Sequence, residues 1–178
     1  MADLSTVRRT LAVVADVTVV GAGESMAFNA FGQDALLCGS DGRGGRWRSY
    51  LAFDLAPVRG SPEVVGAFLR LRGRPDLALP APPIAEPPAG RAPERIDLRL
   101  YRAAAPWRAE RITWANQPGA TGEPVARLSV HPGADATVAL TELMGDWIRG
   151  AIGPFGLVLV CDEAGVGPRR AAYYSSAA

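Results

Sequence analysis

The sequence contains no lysine, one histidine and two cysteines among its 178 residues. The cysteines do not occur in a Cys-x-x-Cys or Cys/His cluster, which argues against a structural zinc site. The formal net charge is +1 at pH 7, which argues against a broad positive surface for DNA, RNA or anionic membranes. No apolar run reaches the roughly 18 residues of a membrane-spanning helix. We therefore predict no nucleic-acid partner and no membrane insertion.

Motifs that carry well-known catalytic chemistry are also missing. The sequence has no Gly-x-Ser-x-Gly elbow, Walker loop or His-x-x-x-His pair. The single histidine, His131, precedes Pro132 in a predicted turn and is expected to be an exposed loop residue. A carboxylate pair of the glycosidase type stays open, because its spacing depends on the fold. We predict that the protein is not an enzyme and needs no cofactor.

The N-terminal region does not have the pattern of a cleaved secretion leader. Its apolar stretch from Leu11 to Val20 is short, carries Asp16 and lacks a clean cleavage region. We expect synthesis in the cytoplasm, so a final location at the cell or spore surface requires another delivery route.

The chain length and the uniform strand pattern predict a single domain over residues 11–178, preceded by an N-terminal extension over residues 1–10. Leu4 and Val7 are candidate assembly residues, because such a segment can add a strand to the sheet edge of a neighbouring subunit. A Pro/Ala-rich stretch at about residues 74–94 is predicted as a long loop, since proline lacks the donor that a central strand needs.

Alternating apolar and polar residues predict an all-β fold. From Ile96 to Tyr101 three aliphatic side chains face one way, and Asp97, Arg99 and Tyr101 are expected on the outer face. Other predicted strands cover residues 11–20, 35–38, 48–55, 67–72, 125–130, 137–140, 156–160 and 171–174.

One short helix near residues 141–149 interrupts the strands. Its apolar residues fall on one face, with Thr141 as the expected N-cap and Gly150 as the C-terminal stop. Many short strands, glycine and proline turns and a single helix together predict an antiparallel β-sandwich of jelly-roll type.

The two cysteines each lie in an apolar run. Cys38 follows two leucines, and Cys161 follows Val158 to Val160. Buried free thiols are one interpretation, and a disulfide between an early and a late strand is the other. The sequence does not decide between them, because pairing depends on the distance between the two Cα atoms.

An ordered series of segments resembles the DNRLRE-domain family, which is related to the carbohydrate-binding modules first recognised on alginate lyases. The most specific segment is the Trp-x-x-Glu-x-x-Thr-Trp-x-Asn-x-Pro run from Trp107 to Pro118. The other segments are residues 15–19, 29–32, 48–55, 67–71, 140–147, 155–159 and 173–176. The resemblance implies a jelly-roll sandwich outside the cell, appended to polysaccharide-degrading enzymes or to large surface proteins.

Aromatic and arginine residues are the candidate carbohydrate-binding groups. Trp47 lies between Arg46 and Arg48, and this patch suits an acidic sugar or a simple cation–π pair. Trp107 and Trp114 either form a sugar platform or plug one end of the sandwich.

A second set of residues is predicted to hold turns or the core together. The set comprises Asp16, Asp54, Glu110, Thr113, Asn116 and Trp147. Calcium is an alternative around Asp34 and Asp41, which supply two carboxylates without a known loop signature.

These observations favour a structural or assembly subunit of a cell- or spore-surface layer or filament. The expected partners are copies of the same chain or other surface proteins. The alternative is a carbohydrate-binding module for an acidic or mannose-type polysaccharide.

Overall fold

The computed structural model describes residues 6–22, 26–29, 34–61, 63–78, 95–161, 163 and 168–176. These residues form an antiparallel, mostly β structure that is not a closed barrel, which confirms the predicted all-β sandwich. The strands are β1 (Val13–Ala22), β2 (Met26–Asn29), β3 (Ala35–Ser40), β4 (Gly45–Phe53), β5 (Phe68–Leu71), β6 (Ile96–Ala103), β7 (Ala120–Val130), β8 (Ala136–Ala139), β9 (Leu157–Val160) and β10 (Arg169–Tyr174). One helix, α1 (Thr141–Arg149), lies between β8 and β9, and the spans 56–58 and 75–77 are short 3-10 turns.

Backbone pairing joins β10–β3–β4–β9–β6–β7, with β1 and β2 beside β4, in one eight-stranded sheet, and pairs β5 with β8 in a second sheet. The eight-stranded sheet turns over where β3 leaves β4, so the strands pack as two layers. The larger layer runs β2–β1–β4–β9–β6–β7. The smaller layer contains the pairs β3–β10 and β5–β8, which join where Gly73 pairs with Tyr173. Strand β3 reaches the larger layer only at its end, where Gly39 and Ser40 pair with Trp47 and Arg46 of β4.

Two buried hydroxyl groups explain how β3 can leave β4. Thr18 and Ser49 lie opposite each other on β1 and β4, with their Oγ atoms 2.9 Å apart. Ser49 donates to the carbonyl oxygen of Leu37 (2.8 Å), and the Leu37 N–H donates to the Thr18 hydroxyl (3.0 Å). These side chains satisfy backbone groups that would otherwise be buried without partners.

The main hydrophobic core fills the space between the layers. It contains buried side chains from β3, β4, β5, β6, β8, β9, β10 and α1: among others Cys38, Leu51, Leu71, Leu98, Val138, Trp147, Leu159 and Tyr173. Strand β6 follows the predicted alternation, since Asp97 is exposed while Ile96 and Leu98 are buried.

A second, smaller core lies on the outer face of the larger layer. It contains Val17, Val19, Tyr50 and Val158 from the sheet, covered by Ala109 and Ile112 of the connection between β6 and β7. The hydroxyl of Tyr50 donates to the carbonyl of Pro118 and to Gln117 (2.7 and 2.9 Å). Both faces of β4 are therefore buried at this end, and the Trp107–Pro118 run is the segment that covers the outer one.

Several predicted boundaries are corrected by the structure. The N-cap position of α1 is Leu140 and not Thr141, whose hydroxyl instead accepts the N–H of Ala67 (3.1 Å). The predicted stop at Gly150 is confirmed, because this residue takes the left-handed conformation (φ 70°) that closes a helix. Strand β2 was not predicted as a strand, and β7 begins five residues earlier than expected, at Ala120.

Parts of the sequence-based predictions fall outside the described residues. These are Leu4 of the N-terminal extension and residues 79–94 of the Pro/Ala-rich loop. Of the helices that the structure describes, none has the length and apolar character needed to cross a bilayer.

Candidate functional site

The predicted Arg-Trp-Arg patch is divided between the two sides of β4. Arg46 and Arg48 project from the outer face, where both guanidinium groups lie near the Trp114 ring. Trp47 points to the opposite side, where the guanidinium carbon of Arg170 lies 5.0 Å from its ring centroid. Alternation along a strand separates neighbours in this way, so the three residues do not form one patch.

Trp107 connects the covering segment to the sheet. Its indole N–H donates to the carbonyl oxygen of Phe155 (2.8 Å). Its ring meets Tyr50 edge to face, with centroids 5.5 Å apart. Since its polar group is bonded and its ring packs in the second core, Trp107 fits the structural interpretation better than the sugar-platform one.

Trp114 lies against β1, and its ring occupies the space that a side chain at Gly21 would fill. A Cβ atom added to Gly21 would lie 2.5 Å from two ring atoms. The guanidinium carbons of Arg48 and Arg46 are 4.8 and 5.6 Å from the ring centroid, within the range of cation–π attraction. The indole is half-buried, so part of its surface is open to a ligand beside two cationic groups.

Arg48 is fixed by Glu163, and Arg46 is exposed. Nε and Nη2 of Arg48 donate to the two carboxylate oxygens of Glu163 (2.6 and 2.8 Å), a bidentate pair. This hydrogen bonding raises the pKa of Arg48 despite the opposing effect of burial. The pair orients Arg48 beside the indole, while Arg46 is accessible to solvent.

Two further arginines lie on the same outer face and were not singled out from the sequence. Arg99 of β6 pairs in register with Val160 of β9 and with Arg127 of β7. Continuing the β4–β9 register by one residue places Arg48 opposite Val160. The three arginines therefore occupy one row across the sheet, and the alternation that predicted Arg99 to face outward was the signal for it.

We call the set Arg46, Arg48, Arg99, Arg127 and Trp114 the arginine face. At its β7 side a shallow pocket of about 330 Å³ is lined by Asp97, Arg99, Arg127, Leu128 and Ser129. Arg127 also contacts Glu123 (3.0 Å) in an exposed ion pair, which solvent and salt weaken. Guanidinium groups bind carboxylates in planar, bidentate geometry. Arg48 already holds Glu163 in this way, so a carboxylate ligand would bind at the exposed Arg46 and compete with Glu123 for Arg127.

Other predicted residues hold the fold together. Asp16 accepts hydrogen bonds from the Ser175 hydroxyl (2.9 Å) and the Ser176 N–H (2.6 Å). Asp54 accepts the N–H of Ala56 (2.8 Å), which starts the first 3-10 turn. Trp147 is buried in the main core against Phe53.

The covering segment is closed by a side-chain turn. The Asn116 carbonyl oxygen accepts the N–H of Thr113 (2.6 Å), and its amide donates to the carbonyl of Arg111 (3.0 Å). Glu110 is exposed in the same segment. These contacts place Trp114 over Gly21, because they fix the backbone on both sides of it.

The carboxylates suggested for calcium are engaged elsewhere. Asp34 pairs with Arg74 (2.6 Å), whose hydrogen bond lowers the pKa of Asp34. Asp41 accepts the N–H groups of Arg43 and Gly45 within its own turn. Among the side chains that the structure describes, no three of His, Cys, Asp and Glu converge as metal ligands. His131 is half-buried in the turn between β7 and β8.

No model of a known protein family matches the chain, and a search of curated proteins returned no significant match. The resemblance to the DNRLRE-domain family therefore stays a prediction.

Proposed function

We propose that the protein is a non-catalytic module that binds an acidic polysaccharide across the arginine face. The observation that carries this proposal is the half-buried Trp114 ring on Gly21, flanked by Arg46 and Arg48. An exposed part of an indole can stack on a sugar ring, and an adjacent guanidinium can bind the carboxylate of that sugar.

The arginine row gives the proposed site its length. Neighbouring strands lie roughly 4.8 Å apart, so the row from β4 to β7 spans about 14 Å. That is long enough for a short run of sugar rings. Charged groups that are spread along this distance favour a polymer with regularly spaced carboxylates over a neutral mannan.

Replacing both Arg99 and Arg127 with glutamine tests the proposal. Loss of the two guanidinium contacts, worth about 1.5 kcal/mol together because both groups lie on a solvated surface, should weaken binding by roughly tenfold. Affinity electrophoresis in gels containing alginate or polygalacturonate measures the change, with mannan and cellulose gels run in parallel. The stability of the double variant should stay within about 0.5 kcal/mol of that of the parent, since neither side chain belongs to a hydrophobic core.

Arg70→Gln is the matched control, since Arg70 is an exposed strand residue of the smaller layer. It should leave retardation unchanged. If the parent protein is not retarded by any acidic polysaccharide at low salt, the proposal is wrong. Equal losses from Arg70→Gln and from the double variant would show a general charge effect and would also contradict it.

Self-assembly is the second candidate function, and a separate observation favours it. All side chains of residues 6–10 are exposed, and Val7 is 63% accessible. Strand β7 pairs with β6 on one side and has no other strand partner among the described residues. An extended N-terminal segment of one subunit can pair with such an edge, and a head-to-tail contact of this kind builds filaments.

Deleting residues 1–10 tests this second candidate. The full-length protein should form oligomers that grow with concentration, and the truncated protein should stay monomeric. Light scattering and electron microscopy measure both. A full-length protein that is monomeric at every concentration would exclude assembly through this segment, whatever its affinity for polysaccharides.

A further inference from the structure

The two cysteines meet in the main core, although 123 positions separate them in the sequence. Their Sγ atoms are 2.8 Å apart. Cys38 lies on β3 of the smaller layer, and Cys161 directly follows β9 of the larger layer. This distance is shorter than the separation of two thiols in van der Waals contact. The two strands hold the sulfur atoms in place from opposite layers.

The surroundings of the thiols are closed and apolar. Cys38 is 0% exposed and Cys161 is 1% exposed. Burial and the neighbouring Cys161 raise the pKa of Cys38 well above its usual value, and burial raises the pKa of Tyr173 beside them. Because the thiolate is the reactive form, the folded dithiol should react slowly with any reagent in solution.

We propose that Cys38 and Cys161 form a disulfide that covalently joins the two layers of the sandwich. The oxidant is a low-molecular-weight disulfide such as oxidised glutathione. One cysteine thiolate attacks it, forms a mixed disulfide and releases one reduced thiol. The second cysteine thiolate then displaces the other thiol, so the protein loses two electrons and two protons and the oxidant is reduced to two thiols.

Burial determines when this reaction takes place. A reagent as large as glutathione cannot reach sulfur atoms that are at most 1% exposed, so oxidation has to precede closure of the layers. Once the core has formed, the same burial protects the bond from reductants. We therefore expect a disulfide that forms during folding and then resists reduction in the native state.

The inference extends beyond the proposed function and bears on where the protein works. Stable disulfides persist in oxidising surroundings and are rare where thiols are kept reduced. A cross-linked sandwich suits a protein at a cell or spore surface, whether it binds polysaccharide or assembles. Whether the disulfide forms can be measured independently of either activity.

The full-length protein is unfolded in denaturant, then refolded with either oxidised or reduced glutathione. Oxidative refolding should give a monomer without free thiols in denaturant and with a mass lower by two hydrogens. Peptide mapping should recover the two cysteine peptides joined. The melting temperature should rise by roughly 5–15 °C relative to the reduced form, since closing a long loop stabilises the folded state.

A Cys38→Ala and Cys161→Ala double variant is the control, and its melting temperature should not depend on the redox conditions. Peptide mapping of the parent protein decides the question if that variant does not fold. Two free thiols after oxidative refolding would overturn the proposal. So would cross-linking between chains instead of within one, or equal melting temperatures for the two refolded forms.

Discussion

Replacing Trp107 with alanine is expected to lower the free energy of unfolding by about 3 kcal/mol, the lower end of the cost of removing a large aromatic side chain from a core, because the ring is half-buried. The ring packs against Tyr50, and its N–H is bonded to the carbonyl of Phe155. Removal leaves a cavity in the second core and a carbonyl group without its donor, and both changes destabilise the folded state.

Urea denaturation followed by circular dichroism measures this effect. The melting temperature should fall by roughly 6–12 °C for a domain of this size. Trp47→Ala is the matched control, because Trp47 is half-buried and contacts Arg170 from the other side of β4. We expect a loss of about 1 kcal/mol there. Equal losses at the two tryptophans would contradict the proposed role of Trp107 in connecting the covering segment to the sheet.

Replacing Gly21 with alanine is expected to weaken the binding of acidic polysaccharide by roughly tenfold, which corresponds to about 1.4 kcal/mol. The added methyl group would lie 2.5 Å from the Trp114 ring, so the ring has to move away from β1. Its displacement separates the indole from Arg46 and Arg48 and removes the stacking surface. The sheet itself should remain, because the new side chain points out of it.

Affinity electrophoresis on alginate gels measures the loss of binding, and urea denaturation measures any change in the stability of the fold. Gly119→Ala serves as the control, since a Cβ atom at that position meets nothing within 4 Å. It should bind as the parent does. Full binding by a Gly21→Ala variant that folds normally would show that Trp114 does not take part in recognition.

The sequence predicts the strands well where one face is apolar and the other polar. Ile96 to Tyr101 is such a case, and β6 occupies these residues. The pattern is weaker for β2, where Met26–Asn29 contains no alternation strong enough to stand out. The departure of β3 from β4 also has no local signal, because it depends on Thr18 and Ser49, which come from two different strands.

The candidate site shows the same limit. Neighbouring residues in sequence suggested a patch of Arg46, Trp47 and Arg48, yet alternation along β4 sends Trp47 to the other side. Arg99 and Arg127 come together only through the register of β6 with β7. The register depends on long-range packing, so the sequence alone does not show which residues of two strands lie opposite each other.

The hydrogen bonds of Asp16 bring the two ends of the described domain together. This carboxylate lies near the start of β1 and accepts the N–H of Ser176 at 2.6 Å. A domain whose ends adjoin can be inserted into a surface loop of another protein or circularly permuted with little disturbance of its core.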